Sequence, residues 1–144
     1  MRTASQLFVT ARTYNQTTTG TFGQFVPAVT PAESTGVGIR PLQILQVEES
    51  NRFRTNIAVA ETTGKPATVV LTVTPPDSRV SANIQLDLAA NEYRQLNSIL
   101  KSLSITSPYN VRVSVKVTAG EGKVTAGASV IDQLTQDPTF VPAQ

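Results

Sequence analysis

The segment 109–130 constrains the fold more than any other part of the sequence. Apolar and polar residues alternate in period two from Tyr109 to Val117, and again from Val124 to Val130. Such alternation predicts β-strands that bury one face. The residues between them, 119–123, include two glycines able to adopt positive φ, so we predict a β-hairpin here. The apolar face of this hairpin needs a second layer to cover it.

The rest of the chain repeats this rhythm, with turn residues spaced about ten residues apart. The pattern is typical of an all-β, immunoglobulin-like antiparallel β-sandwich. Further strands are predicted near 7–14, 21–26, 42–47, 53–59, 69–73 and 80–88.

One segment departs from strand periodicity. Its leucine and isoleucine residues, from Leu96 to Leu103, recur at helical spacing, so we predict one short helix near 94–103, with Asn91 as the candidate N-cap. The alternative for this segment is a strand edge followed by a loop.

Composition excludes several kinds of chemistry. The 144 residues include no Cys and no His, which removes the thiol nucleophile, the usual general base and the commonest transition-metal ligand. No phosphate-binding loop, nucleophile elbow or metal motif is present. We therefore expect a protein that is not an enzyme, with no cofactor and no bound metal.

Charge and hydropathy also exclude some partners. The net charge of +2 comes from 12 basic and 10 acidic residues spread along the chain, so we expect no nucleic-acid partner. No run of about 18 apolar residues occurs, so we expect no membrane insertion. No apolar stretch follows Met1, and any export signal is expected to have been removed or to lie further upstream.

Two distant segments, 11–28 and 128–143, match each other. With a two-residue gap, they share an Ala, an Asn/Asp-Gln pair, a Thr and a closing Phe-Val-Pro-Ala, and their first residues, Ala11 and Ala128, are offset by 117 positions. That offset is about the length of one immunoglobulin-like domain.

This match has two structural explanations, and the alternative is that Phe-Val-Pro-Ala recurs by chance among Thr- and Val-rich strands. In the first, an N-terminal hairpin at 1–28 is the tail of a preceding repeat and 29–144 is one whole sandwich unit. In the second, the two hairpins are pseudo-symmetric partners, or swapped elements, of one sandwich. In the first case the terminal hairpin is available to pair with the open edge of another molecule.

At these same residues the sequence resembles a group of immunoglobulin-like modules of exported bacterial proteins. Those modules close with a string similar to residues 129–132 followed by Asp-Pro-Thr-Phe-Val-Pro-Ala-Gln at 137–144. The resemblance extends from about Val9 onward. It implies an immunoglobulin-like fold and an extracellular or cell-surface location, in a spacer or adhesion unit without catalytic residues.

Acidic residues offer two weak candidate sites. Glu48 and Glu49 could supply oxygen ligands to calcium, but adjacent strand residues point to opposite faces and do not easily converge. Asp132 and Asp137 flank a turn, where Asp side chains commonly accept backbone N–H bonds. Neither pair is expected to bind a metal.

The candidate interaction surface combines basic and aromatic residues. Arg52 and Arg54 share one strand face and Arg112 and Lys116 another, so the four would form a patch for anionic polysaccharide if those faces adjoin; otherwise they are solvated faces that block edge aggregation. The aromatic candidates are Tyr14, Phe22, Phe25 and Phe140.

The expected function follows from these patterns. We expect a structural or adhesion module that assembles through strand edges or terminal hairpins with copies of itself or with neighbouring modules. The alternatives are a surface subunit of a virion or extracellular filament, and a carbohydrate-binding module that recognises polysaccharide.

Overall fold

The computed structural model describes residues 8–77, 81–105 and 109–144. Within these ranges the chain forms antiparallel β-strands, one 3-10 turn at Pro31–Glu33 and one short helix. The strands are β1 (Thr10–Thr17), β2 (Gly20–Pro27), β3 (Leu42–Val47), β4 (Phe53–Glu61), β5 (Ala67–Thr74), β6 (Ala82–Leu88), β7 (Tyr93–Leu96), β8 (Val111–Gly120), β9 (Val124–Asp132) and β10 (Pro138–Pro142), and the helix is α1 (Ile99–Ser102).

Eight of the strands form two four-stranded sheets. Sheet I has the order β10-β9-β4-β7, and sheet II has the order β3-β8-β5-β6. The chain changes sheet between most consecutive strands, and only β5–β6 and β9–β10 are hairpins within a sheet. The expectation of an all-β antiparallel sandwich is confirmed.

The core lies between the two sheets and is filled by the alternating apolar residues of their strands. In β8 the residues Val111, Val113 and Val115 are fully buried, while Arg112 and Lys116, on the opposite face, are exposed. β4 contributes Ile57 and Val59 from the opposite sheet. The period-two pattern therefore identified the buried face of both central strands correctly.

The prediction that β8 and β9 form a hairpin is wrong. β8 pairs with β3 and β5 in sheet II, whereas β9 pairs with β4 and β10 in sheet I. The turn between them is an arch across the core. Its glycines serve a close approach, because a Cβ on Gly120 would lie 2.4 Å from the Pro66 carbonyl oxygen and one on Gly122 would lie 2.2 Å from that of Lys65.

The helix predicted near 94–103 is shorter than expected. Arg94 and Leu96 belong to β7, which pairs with β4, and only Ile99–Ser102 is helical. The break falls at Ser98, whose left-handed backbone (φ 48°) separates the strand from the helix. Asn91 is not a helix cap; its N–H donates to the Glu61 carboxylate.

The predicted N-terminal hairpin is present as β1 and β2, outside both sheets of the sandwich. It contributes no residue to the buried core. Residues 1–7 at its start lie outside the described residues, as does Val80 at the predicted start of β6.

Candidate interaction surface

The β1–β2 hairpin is a two-stranded ribbon with one uncovered strand. All eight residues of β1 are exposed, whereas β2 is mostly half-buried. One edge of β1 pairs with β2, and no strand of the described residues pairs with its other edge. Isolated two-stranded ribbons are marginally stable in water. β1 therefore presents an open edge and two bare faces to solvent.

β2 is held by its contacts with the last two strands of the sandwich. The Gln24 side-chain amide donates a 2.5 Å hydrogen bond to the Ser129 hydroxyl on β9. A groove of about 590 Å³ lies where the base of the hairpin meets the sandwich, and Val29, Phe140 and Pro142 are among the residues that line it. The hairpin thus rests on β9 and β10 through β2 and leaves β1 outward.

The hairpin reproduces the strand register of β9–β10. Ala11 lies opposite Val26 in β1–β2, and Ala128 lies opposite Val141 in β9–β10. The Phe that precedes each Val and the Pro that follows it occupy corresponding positions in the two hairpins. The match between 11–28 and 128–143 in sequence is therefore also a match in structure.

The two hairpins also agree in which residues exchange backbone hydrogen bonds. A two-residue turn follows Thr17, so Thr17 and every second residue before it, down to Ala11, direct N–H and C=O groups toward β2. In β9–β10 the Asp132 N–H donates to the Asp137 carbonyl at 3.1 Å. The same alternation gives Ala128 the role that Ala11 has in β1.

The aromatic candidates divide between the bare and the covered parts of this surface. Tyr14 is 63% exposed and Phe25 is 56% exposed, and the Arg12 guanidinium lies 5.9 Å from the centre of the Tyr14 ring. Because Phe25 is opposite Arg12, these three side chains share the outer face of the hairpin. Phe22 and Phe140 are half-buried.

Phe140 is half-buried because it covers a glycine. A Cβ on Gly127 would lie 2.6 Å from the Phe140 ring. The position equivalent to Gly127 in the first hairpin is Thr10, opposite Pro27. Thr10 has a side chain where Gly127 has none, and Phe25 is more exposed than Phe140.

The structure does not bring the four basic candidates together. Arg54 lies on sheet I, whereas Arg112 and Lys116 lie on the outer face of sheet II. Arg52 and Arg54 instead line a depression of about 890 Å³ with Lys101, a cation that the sequence analysis did not single out. Nothing in the sequence pattern could have linked α1 to the start of β4.

Two of these arginines contact the turn between β9 and β10. Arg52 forms a 3.3 Å ion pair with Asp132, and the Arg54 guanidinium donates a 3.0 Å hydrogen bond to Gln136. The expected turn role of Asp132 is confirmed, since it accepts the backbone N–H groups of Leu134 and Thr135. Those two bonds, with Arg52, lower the pKa of Asp132.

The acidic pair at Glu48 and Glu49 does not converge. Glu49 accepts the backbone N–H groups of Leu100 and Lys101 at the start of α1, and Glu48 accepts the Ser50 hydroxyl. Among the described residues, no cluster of three or more acidic side chains could hold a metal ion.

Glu61, at the end of β4, is the most constrained carboxylate and was missed by the sequence analysis. It is 5% exposed and accepts backbone N–H groups from Thr63, Gly64, Lys65 and Asn91 at 2.7–3.3 Å. Burial raises the pKa of Glu61, but the hydrogen bonds from the Thr63 hydroxyl and from the N–H groups of Asn91, Thr63 and Gly64 outweigh it and lower the pKa from 4.5 to about 2. The group organises a turn.

No helix in the described part of the chain is long and apolar enough to cross a membrane. Comparison of the sequence with family models, with curated proteins and with solved structures finds no match.

Proposed function

We propose that the protein is a non-enzymatic structural module that assembles with neighbouring protein units through its β1–β2 hairpin. The observation that carries this proposal is the open edge of β1. An unpaired strand edge presents a row of N–H and C=O groups, and another strand can pair with it. Natural domains usually cover such edges or block them with proline and charge. Between Ala11 and Thr17 the only charged residue of β1 is Arg12, and there is no proline.

Sedimentation velocity of the full chain over a wide concentration range tests the proposal. We expect reversible self-association through the hairpin. Tyr14→Pro should abolish it, because Tyr14 directs its N–H away from β2 and proline removes that donor without breaking the β1–β2 ladder. Tyr14→Ala is the matched control, since it keeps the amide. A chain that stays monomeric throughout, or a Tyr14→Pro variant that associates normally, contradicts the proposal.

A carbohydrate-binding role is the second candidate, favoured by the exposed rings of Tyr14 and Phe25 on one face of the hairpin. Sugars stack on such rings. NMR titration with soluble polysaccharides should then shift both ring resonances, and Tyr14→Ala should abolish the response while Tyr93→Ala, which removes another exposed ring, leaves it. Absence of shifts at millimolar sugar excludes this role.

A further inference from the structure

We propose that the open edge of β1 is the docking site for a strand equivalent to β4. The strand would come from another unit of this kind, in which β1 and β2 take the place of β9 and β10. This inference rests on the proposed function and gives the partner and the register of pairing.

The register follows from the way β9 uses its outer edge within the sandwich. Ser129 lies opposite Asn56, and Ile131 lies opposite Arg54. Two hydrogen bonds flank the ladder between β9 and β4. At one end the Gln133 N–H donates to the Arg52 carbonyl at 2.7 Å, and at the other the Thr62 N–H donates to the Lys123 carbonyl at 2.9 Å. In both, the residue on the β9 side has an odd number.

Every second residue between these ends exchanges bonds with β4, so Ser129 and Ile131 direct their backbone groups toward that strand. Residues 128 and 11 correspond, so Arg12 and Tyr14 stand where Ser129 and Ile131 stand in β9. Arg12 and Tyr14 are also the residues whose N–H and C=O groups point away from β2.

Two independent features thus identify Arg12 and Tyr14 as the residues whose backbone groups would bond the incoming strand. The turn of the first hairpin determines which backbone groups reach the open edge, and the equivalence with β9 determines what those groups should bind. The register that results places Asn56 of the incoming strand opposite Arg12 and Arg54 opposite Tyr14.

Side-chain chemistry fits this register. Val9 and Ala11 occupy the positions of Ala126 and Ala128, which lie opposite Val59 and Ile57 in the sandwich. Val9 is 53% exposed, and Ala11 is also exposed. An incoming strand with the β4 pattern would cover both with apolar side chains, and removal of that surface from water supplies the driving force.

A synthetic peptide with the sequence of residues 53–61, added to the full-length chain, tests the inference. We expect NMR shifts in β1 and slower amide exchange at Arg12 and Tyr14. N-methylation of the peptide at Asn56 removes a donor to β1 and should weaken binding about tenfold. N-methylation at Thr55, whose amide points to the opposite edge, is the matched control and should leave affinity within about twofold.

The outcome that overturns the inference is equally specific. Equal weakening by both methylations, or shifts confined to Ser129 and Ile131 because the peptide displaces β4 from β9, contradicts docking on β1. As the chain has no cysteine, Arg12→Cys should form a disulfide with a peptide carrying Asn56→Cys, whereas Thr17→Cys should not. Self-association without peptide binding would leave the proposed function standing and refute this register alone.

Discussion

At the residue scale, the sandwich depends on one buried carboxylate as well as on its apolar core. Glu61 sits where β4 ends, and its two oxygens accept hydrogen bonds from the turn that follows and from the loop before β7. A carboxylate offers only acceptors, which is what a cluster of converging N–H groups requires. Glu61 therefore joins the β4–β5 connection to the β6–β7 connection at one end of the sandwich.

Replacement of Glu61 by Gln should lower the free energy of unfolding by about 1–3 kcal/mol, because the new amide turns an NH₂ group toward donors that need an acceptor. Urea unfolding followed by circular dichroism measures the loss. Glu121→Gln is the matched control: Glu121 is exposed and pairs with Lys65 at the surface, where ion pairs contribute little. Equal losses in the two variants would show that Glu61 has no special role.

The lowered pKa of Glu61 predicts that the free energy of unfolding decreases at acidic pH. A group with a pKa of about 2 in the folded state and 4.5 in the unfolded state stabilises the fold above pH 4.5. That contribution is lost progressively as the pH falls from about 5 toward 2, because the unfolded state binds the proton more readily. Urea midpoints at several pH values should fall over this window in the native chain and fall less in Glu61→Gln. Parallel curves would contradict the assignment.

At the element scale, the sequence predicts where the strands lie better than it predicts which strands pair with each other. The alternation in β4, β5 and β8 marks which residues are buried, and that information is local. Which strand lies alongside is not local, so β8 and β9 appeared to be a hairpin although they lie in opposite sheets. The helical spacing from Leu96 to Leu103 misled for the same reason, since Leu96 is paired to Ile57 in a strand.

The candidate surface was predictable only in part. The recurrence of Phe-Val-Pro-Ala located both terminal hairpins, because a repeated sequence folds in the same way twice. The condition for a single basic patch is not met, because Arg54 and Arg112 lie on different sheets and nothing local in the sequence determines which sheet a strand joins. The Glu61 cluster was invisible because its donors are backbone groups, which carry no side-chain pattern.

The arch between β8 and β9 can be tested through its second glycine. Gly122→Ala should destabilise the fold toward the upper end of the roughly 1–3 kcal/mol range of overpacked sites, because its Cβ would lie 2.2 Å from the rigid Lys65 carbonyl oxygen. Gly36→Ala is the control, since its Cβ would lie 3.2 Å from Cγ of Lys123, which can move aside. Urea unfolding of both variants decides. A larger loss in Gly36→Ala would mean that the arch does not need its glycine.

At the scale of the whole molecule, the sandwich and the hairpin have different sources of stability. The sandwich buries its apolar residues between two sheets, and the residues that pack on this core come from β3 through to the end of the chain. The hairpin adds a side-chain hydrogen bond from Gln24 to Ser129 and partial cover at β10. Its structure is therefore a consequence of the sandwich rather than a condition for it.

Removal of residues 1–28 should consequently leave a folded sandwich. We expect a chain that starts at Val29 to unfold cooperatively, with a free energy of unfolding within about 1 kcal/mol of the full chain, because a single partly buried hydrogen bond is worth roughly that much. The free energy of unfolding should depend on urea concentration with nearly the same slope in both chains, since that slope reflects the surface exposed when the core unfolds. The variant Gln24→Ala in the full chain removes the hydrogen bond but keeps the strand. Its free energy of unfolding should lie between those of the full and the shortened chains. Loss of folding in the shortened chain would instead make β2 part of the domain.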